Sequence, residues 1–149
     1  MSSYRQIIYQ IVFRTKHSQK TLKSEHKEKL FKYIWGAIKN KNCHLYRING
    51  MEEHVHILTD LHPSIALADF IRDIKTASSV WLKGTGYFPG FIGWADGYAA
   101  LTYACWDKYK LINYIKNQEE HHKTETFEAE FRRLLKEHNI KIDERYFLK

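Results

Sequence analysis

The sequence predicts an α+β fold in which helices cover one face of an antiparallel sheet of four to five strands. The predicted order is β-α-β-β-α-β-α-α. Three observations predict it. Four segments rich in β-branched and aromatic residues alternate with stretches of helical period. The second and third of these segments are joined directly by a short glycine-containing turn. No internal repeat and no linker divides the 149 residues, so we expect one domain over 1–149.

The first strand lies between Arg5 and Thr15, where Gln-Ile-Ile-Tyr-Gln-Ile-Val-Phe-Arg-Thr is dense in strand-forming residues. Within Glu25–Asn40, Leu30, Ile34, Ala37 and Ile38 recur at helical spacing. Cys43–Asn49 and His54–Leu61 read as strands two and three, joined by Gly50-Met51-Glu52-Glu53. Pro63 and Ser64 open a second helix whose stripe is Leu67, Phe70, Ile71, Ile74 and Trp81, and Gly84 stops it. Gly84 to Gly97 holds five of the seven glycines and Pro89, and reads as a long, functional or mobile loop. Strand character returns over Tyr98–Ala104, and Asp107 caps a third helix running to about His121. Thr124 or Thr126 starts a fourth, with Phe127, Phe131, Leu134 and Leu135 on one face. The expected architecture is thus a sandwich of the ferredoxin or RNA-recognition type.

Composition narrows the class. The chain is 44% hydrophobic and 28% charged, with 2 Pro and 7 Gly, which excludes a disordered or collagenous chain. Two cysteines, Cys43 and Cys105, make neither a disulfide framework nor a CxxC metal knuckle and fit a reducing cytoplasm. No apolar run approaches the roughly 20 residues that span a bilayer, so no membrane association is expected, and the start lacks a signal-peptide core. Lys plus Arg is 24 against 17 acidic residues, a net charge of +7, accompanied by 4 Trp, 10 Tyr and 8 Phe. This balance suits a polyanion whose bases can stack, although a merely basic protein explains the charge equally well.

Two local patterns carry chemistry. In His54-Val55-His56 the two imidazoles project to the same side of a strand, while Val55 and Ile57 go to the core. Such a pair offers two metal ligands; the plainer alternative is two ordinary histidines on a wet face. On a wet face, His56→Ala would remove metal binding with little loss of stability. In Tyr114-Ile115-Lys116-Asn117-Gln118, Tyr114 and Gln118 stack four residues apart on a helix, with Asn117 and His121 nearby. A tyrosine hydroxyl is a possible nucleophile, although spacing alone favours Tyr114 as a core aromatic between Leu111 and Ile115.

Together these patterns resemble the single-tyrosine HUH transposases of small bacterial insertion sequences, the IS200-like transposase family. Further matches to that family are Phe13-Arg14-Thr15-Lys16-His17, Phe70-Ile71-Arg72-Asp73-Ile74-Lys75 with Ser78-Ser79, and Trp94-Ala95-Asp96-Gly97-Tyr98. Its most characteristic signature is matched by Tyr114-Ile115-Lys116-Asn117-Gln118-Glu119-Glu120-His121-His122 and then Thr126-Phe127-Glu128. Ala95, where the family often carries glutamine, and Leu101–Trp106, less serine-rich than the family, depart from the pattern and bear on DNA contacts.

The resemblance implies a bacterial, cytoplasmic enzyme that cuts and rejoins single-stranded DNA at hairpin-flanked ends through a 5′-phosphotyrosine. Tyr114 would be the nucleophile, and His54, His56 and Gln118 would hold one divalent metal, Mg2+ or Mn2+. Arg14, Lys16, Arg72, Lys75 and Lys116 would contact DNA. It also implies a homodimer joined sheet edge to edge, with the glycine-rich segment letting the Tyr114 unit be repositioned, and no small-molecule cofactor. Two alternatives share the fold: an RNA-recognition-like single-strand binding module without catalysis, and a domesticated tyrosine nuclease acting on repeated palindromes. The chain lacks the aromatic signature stretch of RNA-recognition modules, which counts against the first.

Overall fold

The structure, a computed structural model, describes residues 3–149. Strands β1 (Tyr9–Arg14), β2 (Leu45–Gly50), β3 (His54–Thr59) and β4 (Ala99–Thr102) form one sheet in the order β2-β3-β1-β4. Every neighbouring pair is antiparallel. An isolated bridge between Thr15 and Trp94 prolongs the sheet without adding a fifth strand. Helices α1 (Lys27–Asn40), α2 (Leu67–Gly84), α3 (Lys108–Lys116), α4 (Gln118–His121) and α5 (Phe127–Glu137) complete the fold. No helix among the described residues is long and apolar enough to cross a membrane.

The α+β class, the antiparallel sheet and the order of elements are those the sequence predicts. The layering extends the expectation of helices on one face. Period-2 alternation sends Ile11, Phe13, Val55 and Ile57 to one side, where they join Leu30, Ile34 and Ile38 of α1 and Phe70, Ile71 and Ile74 of α2. The opposite side is also covered. Val12, Ala99 and Leu101 meet Phe127 and Leu134 of α5, while Leu58 meets Leu111 and Ile115 of α3. The reason is visible in β3, all six of whose residues are buried: a strand covered on both faces needs a helical layer on each.

Two other expectations change. The Gly84–Gly97 stretch is pinned rather than loose. Phe88 and Phe91 are buried in the α1/α2 face, and Trp94 Nε1 donates to Ser78 Oγ at 2.9 Å. Ala95 N donates to Arg14 O and Lys16 N to Gly93 O, both at 2.9 Å. The third predicted helix is interrupted at Asn117 (φ −98°, ψ 27°), dividing it into α3 and α4. Asn49 on β2 supports that interruption, its Nδ2 donating to Ile115 O at 3.0 Å and Lys116 O at 3.1 Å. Freed helix-end carbonyls need such donors.

Candidate active site

The β2–β3 connection fixes where the histidines start. A Cβ on Gly50 would lie 2.1 Å from His54 O, so the two strands approach only because residue 50 has no side chain. Met51 N then donates to His54 O at 3.0 Å. From this turn β3 runs straight, and His54 and His56 leave it on the same side, their ring centroids 5.0 Å apart. Both are fully buried, so the expected wet face is absent: Phe127 of α5 stacks on His54 at 4.2 Å, and α4 and α5 close over the pair. The expectation that His56→Ala would leave stability almost untouched is therefore corrected, since a buried, hydrogen-bonded ring is removed.

The outer nitrogens of both rings are spoken for. Glu53 can only accept, so His54 Nδ1 donates to Glu53 Oε1 at 2.7 Å. Gln10 directs its Nε2 to Tyr103 Oη at 2.7 Å, which turns its Oε1 toward His56 Nδ1 at 2.8 Å. In the neutral tautomer that these outer bonds select, each imidazole turns an Nε2 lone pair inward. There they meet more acceptors: Gln118 Oε1 lies 3.0 Å from His54 Nε2, and Glu130 Oε1 lies 3.1 Å from His56 Nε2 and 3.4 Å from His54 Nε2. His122 Nε2 is 3.0 Å from the same Glu130 oxygen.

Such a convergence of lone pairs is stable only with a cation or protons between them, and nitrogen with oxygen donors is a set that a divalent ion takes. A His54–His122–Glu130 group whose ligand atoms all lie within 4.8 Å of one another could hold a metal. The expected ligands His54, His56 and Gln118 lie in the same cluster. Sequence reading missed Glu130 and gave His122 no role.

Glu130 links this cluster to the tyrosine. Its Oε1 faces the three imidazoles; its Oε2 accepts from Gln118 Nε2 at 2.9 Å and from the Tyr114 hydroxyl. Arg133 Nη2, one turn further along α5, donates to Tyr114 Oη at 2.7 Å. Tyr114 and Gln118, though separated by the Asn117 interruption, thus converge on one carboxylate. Burial works against charge on Glu130, but His122, His54 and His56 outweigh it and hold its pKa well below the usual carboxylate range. Burial also opposes charge on His54, where Glu130 and Glu53 prevail and the pKa rises; for His56 burial prevails and the pKa falls. Burial, reinforced by Glu130, pushes the Tyr114 phenol above its ordinary value.

The five basic residues expected at DNA are placed unequally. Lys16 and Lys116 are exposed. Arg72 is exposed and paired with Asp69 and Asp73. Lys75 Nζ donates to Ala95 O at 2.9 Å and Gly97 O at 2.6 Å, holding the glycine-rich segment. Arg14 is buried at 7% exposure, donating to Ser18 Oγ at 3.1 Å and Lys149 O at 2.9 Å.

An antiparallel sheet with paired histidines on a central strand thus brings a cluster of nitrogen and oxygen donors, through Glu130, to the hydroxyl of a tyrosine on a late helix. The comparisons identify the family. The sequence model described as "Transposase IS200 like" matches residues 3–118. The chain belongs to that family and is accordingly a DNA transposase. Among solved structures it is similar to a Deinococcus radiodurans protein provisionally named a transposase, at 22% identity and a TM-score of 0.62, over 79% of this chain and 95% of that one. It is also similar to a REP-associated tyrosine transposase bound to a REP hairpin, at 15% identity and a TM-score of 0.60, over 82% of this chain and 74% of that one. At these identities the likeness shows the fold. Comparison with curated proteins gives no match.

Proposed function

We propose that this transposase cleaves and rejoins single-stranded DNA at hairpin-flanked ends, with Tyr114 as the nucleophile that forms a 5′-phosphotyrosine. The observation that carries the reading is the shared carboxylate: Glu130 touches both the Tyr114 hydroxyl and the inward nitrogens of His54 and His56. His54, His56 and Gln118 would hold one Mg2+ or Mn2+, with Glu130 and His122 in reach of the same ion. Such an ion, when bound, supplies charge neutralisation at the scissile phosphate. The protein's own part is placement. Asn49 fixes the end of α3, Gln10 and Glu53 fix the imidazoles, and an open cavity beside Tyr114, lined by His121, Ala129 and Arg133, admits the strand.

A hairpin substrate is supported by the neighbour of the same fold bound to a REP hairpin. Exposed Lys16 and Lys116 are the basic residues best placed to meet phosphates. The proposal includes a homodimer joined at an open sheet edge, β2 or β4, and action in the bacterial cytoplasm. The test is incubation with hairpin DNA bearing a single-stranded flank and Mn2+, followed by a denaturing gel. The wild type yields a protein–DNA adduct that Tyr114→Phe abolishes while still binding the DNA. An adduct of equal yield in Tyr114→Phe overturns the assignment, and binding without any adduct in the wild type favours a binding module. Titration calorimetry with Mn2+ tests the ligands: the His54→Ala/His56→Ala double variant loses the ion.

A further inference from the structure

We infer that Arg133 is a catalytic residue that stabilises the negative charge on the tyrosine oxygen, both when it attacks DNA and when it leaves at rejoining. The inference rests on Tyr114 being the nucleophile. Its own support is the geometry of one guanidinium. Arg133 sits on α5 three residues after Glu130, so a single helix face presents an acceptor and a donor to the same hydroxyl. Nη2 reaches Tyr114 Oη at 2.7 Å. The rest of the fork is held elsewhere: Nε and Nη2 meet the two oxygens of Glu125 at 3.1 and 2.9 Å, and Nη1 meets Glu137 at 3.2 Å.

A surface arginine with two glutamate partners has no electrostatic need of a third contact, yet this one is aimed inward at the phenol. Its side chain retains 37% exposure and lines the open cavity beside Tyr114. A planar fork fixed by a carboxylate presents its remaining N–H in one direction and costs little reorganisation when charge develops. Lysine, with a single ammonium on a flexible stem, reproduces the charge without the fixed direction.

The phenol proton leaves to solvent through the open cavity beside Tyr114 as the Oη–P bond forms. The P–O bond to the 3′-oxygen breaks with its electron pair, and that oxygen takes a proton from water. Rejoining runs the sequence backwards, with Oη leaving as phenolate. In both directions the charge on Oη peaks next to Arg133 Nη2, and no oxidant or cofactor enters.

The experiment is single-turnover cleavage of a labelled hairpin oligonucleotide with a single-stranded flank, drawn from the DNA bordering the gene, in Mn2+. Rates are taken across DNA concentrations, and resolution of the isolated adduct by a 3′-hydroxyl strand is followed separately. Arg133→Gln is expected to lower the maximal rate about 100-fold, as loss of one preorganised donor to an oxyanion does. The half-saturating DNA concentration stays unchanged, and adduct resolution slows in parallel. Added guanidinium restores part of the rate, and Arg133→Lys lies between. An unchanged rate in Arg133→Gln overturns the inference. So does a loss confined to the half-saturating concentration, which would make Arg133 a DNA contact, or a loss that guanidinium leaves untouched while thermal melting falls. Tyr114→Phe separates the two claims: an adduct surviving there removes the nucleophile reading itself, whereas its loss beside a fully active Arg133→Gln removes only the role of Arg133.

Discussion

The two faces of the sheet are built from the same strands and do different work. On the α1/α2 side, the buried residues form one continuous apolar cluster from Ile11 to Phe91. On the other side the apolar residues fall into two smaller groups, one around Val12 and Phe127, the other around Leu58 and Ile115. Between those groups lies a dry polar island of Gln10, His54, His56, Gln118 and Glu130, each fully buried. Burying polar groups costs free energy unless each is partnered, and their retention here is a concession of stability to chemistry. The comparison teaches that one face supplies the folding energy and the other spends part of it on the site.

The largest expected effect breaks both faces at once. Gly50→Ala forces a Cβ against His54 O, and since the obstacle is backbone we expect a loss of at least about 4 kcal/mol in urea denaturation, or no folded protein. Next, one substitution on each side of the sheet, in β3 and in α5, separates the faces. Ile57→Ala, on the apolar side, should cost about 3–4 kcal/mol while leaving DNA cleavage measurable in the folded fraction. Glu130→Ala, on the polar side, should cost about 3 kcal/mol by stranding three imidazoles and Gln118, and should weaken Mn2+ binding in calorimetry. If Ile57→Ala abolished metal binding as thoroughly as Glu130→Ala, the division of labour would be wrong.

The smallest effect concerns the rim. Lys27 and Glu119 are ion-paired where α1 meets α4, and although burial opposes it, the pairing lowers the Glu119 pKa. A carboxylate with a depressed folded pKa adds stability that is fully present above its unfolded value and lost as pH falls through the folded one. With Glu119 48% exposed, that contribution is below about 1 kcal/mol. Urea midpoints of wild type and Lys27→Met should therefore differ slightly at pH 7 and converge as the pH falls below about 4.

What the sequence disclosed follows the range of its regularities. Period 2 in His54-Val55-His56 and the four-residue spacing of Tyr114 and Gln118 are local, and the structure brings all four side chains to one place. Gln10, Asn49, His122 and Arg133 act across the fold: His56 is 46 positions from Gln10 and 74 from Glu130, separations that no periodicity encodes. One signal for Glu130 was present. It lies three residues after Phe127 and four before Leu134, on the apolar stripe of α5, where a charged residue is out of pattern unless something buried needs it. The helix interruption at Asn117 had no such marker, because it is set by the Asn49 amide from another strand.

The position of Glu130 also has a meaning in time. Chains are made from the N-terminus, and the histidine strand and the tyrosine helix both emerge before α5. Until α5 docks, the imidazole nitrogens have no carboxylate facing them and the Tyr114 hydroxyl has neither of its two partners. On the function proposed above, a nascent chain without α5 would hold the histidines and Tyr114 but not the carboxylate that joins them. Helix α5 is thus the element that gathers His54, His56, His122, Gln118 and Tyr114 around one carboxylate.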